Sequence, residues 1–242
     1  MNKDTVQDNV DAAELEKFDS VARKWWDRTS EFKPLHDINP LRLGYITDRV
    51  ALASVRALDV GCGGGILTES LAAAGARVTG IDMADKPLTV ARLHAVESGL
   101  ADQITYEKSL VEAYADAHPG AFDVVTCLEL LEHVPDPASV IDACARLLKP
   151  GGHLFLSTIN RNPKAYALAV IGAEYVLGLL TRGTHDYARF IKPSELAGYL
   201  RSSELLLCDI TGMTYNPLTR VYRLGRDTDV NYLVHARKPA GE

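Results

Sequence analysis

The chain contains few cysteines, and their spacing is not that of a zinc or redox site. Four occur among 242 residues, Cys62, Cys127, Cys144 and Cys208, and no two of them form a C-x-x-C pair. Three lie within apolar stretches. This distribution predicts reduced core thiols in a cytosolic protein.

Basic runs and long apolar runs are also missing. With 26 Lys and Arg against 32 Asp and Glu, the net charge is −6, and no basic cluster suggests a nucleic-acid partner. No apolar run is long enough to cross a bilayer, and the acidic amino-terminal residues do not resemble a secretory signal. A hydrophobic content of 47% instead suits a single α/β domain over residues 1–242.

The most informative stretch is the glycine-rich turn at 58–65, Leu-Asp-Val-Gly-Cys-Gly-Gly-Gly. Such a turn after a strand lets backbone N–H groups approach a ligand closely. The dinucleotide fingerprint needs a third glycine where Ile66 stands, and the Gly-Lys-Ser/Thr of a P-loop is missing. Asp59 would repel a pyrophosphate but suits an ammonium and a sulfonium. The turn, with Gly61, Gly63 and Gly65, therefore favours S-adenosylmethionine.

Strands and helices alternate after this turn. The pattern predicts an α/β fold with a doubly wound, mostly parallel seven-stranded sheet and an antiparallel edge strand. The predicted strands are 57–60, 77–81, 104–107, 122–128 and 153–157, followed by the runs 205–210 and 230–235.

Cofactor contacts are expected at the carboxyl ends of these strands. Asp82 follows the second strand, 17 residues after Gly65, where such folds place the carboxylate that binds the ribose. Val111, just after the third strand, is expected to form the apolar wall of the adenine site. Leu128 to His133, after the fourth strand, should face both cofactor and substrate.

An amino-terminal cover is predicted over residues 11–48. Asp11 and Glu14 have the spacing of a capping box, and a helix of about four turns should end near Trp26. Either one of the two adjacent tryptophans lines a cleft or both are packed. The proline-rich stretch 31–42 is predicted to be irregular.

Residues 50–160 resemble the class I S-adenosylmethionine-dependent methyltransferases. A closer likeness, to the ubiquinone biosynthesis O-methyltransferase family, covers nearly the whole chain. That resemblance implies two O-methylations of polyprenylated phenols, and cofactor contact by Arg42, Gly61, Asp82 and Leu128, with Arg42 pairing with the methionine carboxylate. The stretches that carry it are 32–36, 39–46, 123–137, 172–175, 183–186 and 229–232.

Other functions stay open at this point. A nicotinamide-dependent dehydrogenase is disfavoured by Ile66, while a non-catalytic scaffold of a lipid-biosynthesis assembly or a C- or N-methyltransferase is not excluded by the cofactor motifs. For O-methylation, His133 is the candidate base, oriented by Glu132 or Glu129. Alternatively, His133 caps a loop, or the three side chains together hold Mg²⁺; no metal site is assigned.

The last prediction concerns the insert 161–192. It holds five Lys and Arg against two acids, and its apolar run 165–180 has a single charged residue, Glu174. A basic-flanked apolar segment suits docking on anionic lipid. We therefore expect a cytoplasmic protein peripherally associated with the inner membrane through 165–180, with other ubiquinone-biosynthesis proteins as further candidate partners.

Overall fold

One mixed β-sheet organises the computed structural model, which describes residues 9–166 and 187–241. Its strands are β1 Arg56–Val60, β2 Arg77–Asp82, β3 Ile104–Lys108, β4 Phe122–Leu128, β5 Leu148–Ile159, β6 Leu206–Asn216, β7 Val221–Gly225 and β8 Asn231–Arg237. In the sheet they lie in the order β3-β2-β1-β4-β5-β8-β6-β7. Strands β1 to β5 are parallel, whereas β8, β6 and β7 pair antiparallel.

Helices cover both faces of the sheet. They are α1 Ala12–Val21, α2 Lys33–Thr47, α3 Ile66–Ala73, α4 Asp85–Glu97, α5 Val111–Ala117, α6 Pro137–Leu147, α7 Pro163–Ala165 and α8 Pro193–Ser202. Alternate residues of β4 point to opposite faces, as the two-residue period of a strand requires: Val125 joins the core under α5, α6 and α8, and Val124 joins the core under α2, α3 and α4. The centre of the sheet is thus buried on both sides.

The predicted fold class is confirmed, and the sheet carries one strand more than predicted. The additional strand, β7, alternates exposed and half-buried residues, so it has no apolar run that the sequence could reveal. Strand β5 also begins earlier than predicted, at Leu148, because residues 149–152 continue the strand instead of ending the preceding helix.

The prediction of an irregular 31–42 segment is wrong, since α2 is a regular helix of 15 residues. Pro34 lies in its first turn, where a missing N–H costs nothing. Pro40 lies in its interior, where proline costs about 3 kcal/mol. Burial of Ile38, Tyr45 and Ile46 against the sheet offsets that cost, because each buried apolar side chain contributes about 1.5–3 kcal/mol.

The first helix is shorter than predicted. Asp11 caps α1 as expected by accepting hydrogen bonds from the N–H groups of Ala13 and Glu14. The α-helix ends at Val21, and a 3₁₀ turn over Ala22–Lys24 leads to the tryptophans. No helix in the described part of the chain is long and apolar enough to cross a bilayer.

Candidate active site

A cavity of about 680 Å³ opens at the carboxyl ends of the parallel strands. Its volume is in the range of small-molecule sites. The glycine turn, the ends of β2 and β4, helices α1 and α2 and the β6–β7 hairpin contribute to its wall. It brings together the following predicted site residues: Arg42, Asp59, Gly61, Gly63, Asp82, Val111, Leu128, Glu129, Glu132 and His133.

Three positions of the turn require glycine, because a side chain there would strain the backbone or collide with a neighbour. Gly61, Gly63 and Gly65 have positive φ values of 70°, 52° and 87°. Gly65 precedes α3 and does not line the cavity, and a Cβ there would lie 2.3 Å from the Tyr106 hydroxyl. It therefore shapes the turn.

The two tryptophans both lie against this turn. A Cβ on Gly63 would lie 2.2 Å from the ring of Trp25, so the glycine leaves space for the indole that lines the cavity. Trp26 points elsewhere: its Nε1 donates to the Gly64 carbonyl at 2.8 Å, and its ring stacks on His94 with centroids 3.4 Å apart and planes 3° apart. Trp25 is the one that lines the cleft.

Asp82 is fixed by the backbone of the turn. Its Oδ2 accepts from Gly63 N–H and its Oδ1 from Ala84 N–H, both at 2.8 Å. Burial raises the pKa of Asp82, and these backbone hydrogen bonds oppose that rise. A carboxylate has about four lone-pair sites, so Asp82 retains acceptor capacity for a ligand hydroxyl.

Asp59 is buried between strand and helix. Thr68 Oγ1 donates to its Oδ2 at 2.6 Å, and Thr126 Oγ1 donates to its Oδ1 at 2.7 Å. Burial raises the pKa of Asp59 to about 6, against these hydrogen bonds. The side chain thus ties β1 to β4 and α3 beneath the turn, in addition to lining the cavity.

Arg42 and Glu129 form a buried ion pair across the cavity wall, with 3.0 Å between Nη2 and Oε1. Glu129 also accepts from Ser157 Oγ at 2.6 Å. Burial acts to raise the pKa of Glu129, but the Arg42 charge and the hydrogen bonds lower it below the usual range. Glu129 has φ 54°, a strained conformation for a residue other than glycine. Arg42 Nε is buried without a hydrogen bond among the residues that the structure describes.

His133 is oriented from the amino-terminal helix. Its Nδ1 lies 2.8 Å from Glu14 Oε2, and the edge of its ring packs against Phe18. Because a carboxylate only accepts, Nδ1 carries the proton and Nε2 is the basic nitrogen. The hydrogen bond from His133 lowers the pKa of Glu14 although burial opposes it, so Glu14 is charged at neutral pH.

The prediction that Glu132 or Glu129 orients His133 is therefore wrong. Residues 131–133 form a 3₁₀ turn, in which neighbouring side chains diverge. Glu132 points into the protein and accepts from Thr158 Oγ1 at 2.8 Å. Burial, and then the charge of Glu129, raise the pKa of Glu132 to about 7.

The same divergence bears on the magnesium interpretation. Glu129 faces Arg42, Glu132 faces Thr158 and His133 faces Glu14. Among residues 9–166 and 187–241, no three His, Cys, Asp or Glu side chains converge as a metal site would require. The residues present do not fit Mg²⁺ as a catalytic ligand set.

Two apolar residues have the positions expected of an adenine wall. Val111 is the first residue of α5 and Leu128 the last of β4, and both are buried at the cavity. The cavity lining also includes apolar residues outside the predicted cofactor motifs. They include Phe18, Val21, Leu130, Val134, Ile159 and Val230.

Sequence reasoning missed the role of α1. Arg189 Nη2 donates to Asp11 Oδ2 at 2.6 Å, which ties the start of α1 to the carboxyl-terminal end of the insert. Glu14 holds His133 across 119 positions. The spacing of Asp11 and Glu14 was a visible signal, but it indicated a helix cap and not a partner so far along the chain.

Comparison with known proteins identifies close relatives. A family model described as a methyltransferase domain matches residues 58–156. The ubiquinone biosynthesis O-methyltransferase of Marinobacter nauticus is 62% identical over 95% of this chain and 96% of its own length, and that of Azotobacter vinelandii is 64% identical over 93% and 97%. Among solved structures, magnesium protoporphyrin IX methyltransferase from Synechocystis PCC 6803 shares the fold, with a TM-score of 0.68 and 21% identity over 92% of this chain and 94% of that one.

Proposed function

Because the chain belongs to the ubiquinone biosynthesis O-methyltransferase family, we propose that its cavity takes the phenol head of a polyprenylated substrate and that His133 removes the phenol proton. The activity itself is S-adenosylmethionine-dependent O-methylation in ubiquinone biosynthesis. We further propose that one site performs both O-methylation steps of that pathway.

The observation that carries the proposal is a histidine held at Nδ1 by Glu14, at the edge of an apolar cavity that also contains the glycine turn. A phenol has a pKa near 10, so only about one molecule in a thousand is ionised at neutral pH. His133 Nε2 is the atom that accepts this proton, and the Glu14 carboxylate stabilises the imidazolium that results.

The polar residues of the cavity fit S-adenosylmethionine. Arg42 offers a buried Nε–H group without a hydrogen-bond partner among the described residues, which suits the methionine carboxylate. Asp82 keeps free lone pairs for the ribose hydroxyls. When bound, this cofactor supplies a methyl group already activated on a sulfonium, so the protein must position the phenol oxygen and take its proton.

The apolar lining of the cavity suits a prenylated ring. Phe18 packs against the His133 ring, and Val134, Ile159 and Val230 also line the cavity. Such walls favour an apolar acceptor and exclude water from the charge that develops on the phenol oxygen.

Association with anionic lipid through 165–180 stays a proposal. Residues 167–180 lie outside the described part of the chain, so its support is the apolar composition and basic flanks in the sequence. The flanks are less basic than their formal charge: Arg161 pairs with Glu195, Lys164 with Asp227 and Asp229, and Arg189 with Asp11. Association with other ubiquinone-biosynthesis proteins stays a prediction of the family resemblance.

The test is methyl transfer to a short-chain prenylated catechol with labelled S-adenosylmethionine, followed by mass spectrometry of the product. We expect label on a phenol oxygen and a product without label on carbon. Label on carbon, or no transfer to any prenylated phenol or catechol, would contradict the proposed acceptor.

Liposome co-sedimentation tests the lipid proposal separately. The variant Ile171→Glu with Leu177→Glu should pellet less than the wild type with phosphatidylglycerol vesicles. If the two folded proteins pellet equally, residues 165–180 do not contribute to lipid binding.

A further inference from the structure

The β6–β7 hairpin projects beyond the rest of the sheet beside the cavity. Strand β6 pairs with β8 only as far as Met213 opposite Asn231, and its last three residues pair with β7 alone. At about 3.4 Å per residue, these residues and the turn extend roughly 10 Å past the end of β8. Strand β8 runs antiparallel to β5, and β6 runs antiparallel to β8, so β6 has the direction of the parallel strands. The tip that follows β6 therefore lies at the carboxyl ends of those strands, where the cavity opens.

The inner face of the hairpin is part of the cavity wall. Tyr215 and Tyr222 are directly opposite each other, with ring centroids 4.6 Å apart. Both line the cavity, together with Pro217. Whatever the tip contacts is therefore adjacent to the cavity mouth.

The outer side combines exposed apolar residues with unpaired positive charge. Leu218 at the tip is 93% exposed, and Val221 is 41% exposed. Arg220, Arg223 and Arg226 are exposed and make no ion pair with any residue the structure describes. A single exposed leucine is ordinary, but here it lies on a projecting tip with three arginines.

Acidic residues do not balance this surface. Residues 214–226 contain no Asp or Glu, in a chain of net charge −6. The next acids, Asp227 and Asp229, are both engaged by Lys164 Nζ at 2.9 Å. Asn160 Nδ2 also donates to the Thr228 carbonyl, so the base of the hairpin is fixed against the residues that precede the insert.

We propose that this hairpin docks on an anionic lipid surface, with Leu218 inserted at the headgroup boundary and Arg220, Arg223 and Arg226 facing lipid phosphates. Positive charge complements anionic headgroups, and an exposed apolar side chain gains by leaving water. The docked hairpin opens the cavity mouth to the bilayer. The proposal rests on the proposed function in one respect, that the acceptor has a prenyl tail and lies in the membrane.

The test compares vesicle partitioning of four folded variants with that of the wild type. Vesicles are equal parts phosphatidylglycerol and phosphatidylcholine, with pure phosphatidylcholine as the reference. The charge variant is Arg220→Glu with Arg223→Glu, and its matched control reverses two exposed arginines elsewhere, Arg77→Glu with Arg201→Glu. The apolar variant is Leu218→Asp, with the 68% exposed Val96→Asp as its control.

We expect the charge variant to partition at least tenfold more weakly than the wild type, because each basic residue near such a surface contributes about a fivefold factor. Leu218→Asp should weaken partitioning several-fold, whereas the two controls should each do so less than twofold. Thermal unfolding of all four variants should match the wild type, since the substituted side chains are exposed.

Hairpin variants that bind like their controls would overturn the proposal, as would a wild type that does not bind anionic vesicles. Methyl transfer to a water-soluble short-chain catechol in the same proteins separates this result from the proposed function. Hairpin variants should keep the wild-type rate with that acceptor. A wild type that does not methylate it contradicts the proposed function, while the docking proposal is decided by partitioning.

Discussion

The cofactor half and the acceptor half of the cavity are built in different ways. In the cofactor half the contact between the glycine turn and Asp82 joins residues close in sequence, since Gly63 donates to Asp82 across 19 positions. In the acceptor half they join distant residues: Glu14 holds His133 across 119 positions, and Asp11 binds Arg189 across 178. Short motifs can encode the glycine turn and Asp82, whereas only the folded topology brings the residues of the acceptor half together.

This difference implies that substitutions in the two halves should have separable effects. The cofactor half should control affinity for S-adenosylmethionine, and the acceptor half should control turnover. The substitutions at His133, Asp82 and Glu14 test this separation.

The largest effect is expected at the base. His133→Ala should lower kcat by roughly 10²–10⁴-fold, because a general base acts in the transition state. Cofactor affinity, measured by calorimetry, should stay within about twofold. His118→Ala, at the residue that caps the end of α5 and does not line the cavity, is the control. Equal kcat for His133→Ala and the wild type at pH 7 would exclude His133 as the base.

In the cofactor half, Asp82→Ala should weaken S-adenosylmethionine binding by roughly 1.5–3 kcal/mol, the usual cost of losing hydrogen bonds to a charged group. The exposed Asp102→Ala is the control. Calorimetry measures both. Wild-type affinity in Asp82→Ala would show that this carboxylate does not bind the ribose.

The buried Glu132 should make the free energy of unfolding depend on pH. The pKa of Glu132 is raised to about 7 in the folded protein. Its stabilising contribution to the free energy of unfolding is therefore fully present below about pH 4.5 and is lost as the pH rises through 7. Glu132→Gln keeps an acceptor for Thr158 and removes the buried charge. We expect it to stabilise the protein by about 1–2 kcal/mol at pH 8 and by little at pH 5.

Denaturant unfolding at the two pH values measures this difference. The exposed Glu97→Gln should show no pH-dependent gain. A gain of equal size at pH 5 and pH 8 would mean that Glu132 is not the titrating group.

The smallest effect is expected at Glu14. Glu14→Gln should lower kcat about five- to tenfold, because a neutral amide stabilises the imidazolium less than a carboxylate does. Glu16→Gln on the same helix makes the same charge change at an exposed position. Steady-state kinetics and cofactor calorimetry separate the roles. Reduced cofactor affinity with unchanged kcat would show that Glu14 acts in the cofactor half, contrary to this assignment.

The same division explains what the sequence could predict. The glycine turn, Asp82 and the parallel strands follow from short patterns, and the structure places them at one cavity. Helix α2 could not be predicted because its prolines oppose a helix locally, while the burial that overrides them depends on a sheet formed later in the chain. Strand β7 could not be predicted either, because it has no apolar run. The partner of His133, Glu14, could not be predicted because it lies 119 positions away in the sequence.

The two tryptophans have a consequence for optical measurement. They are the only tryptophans in the chain, and both contact the glycine turn, one over Gly63 and the other through the Gly64 carbonyl. When the indoles are excited selectively, all of the emission therefore comes from two side chains that contact this turn. The protein carries its own fluorescent label at the cofactor site, so quenching or a spectral shift during a cofactor titration can be assigned to that site without adding a dye.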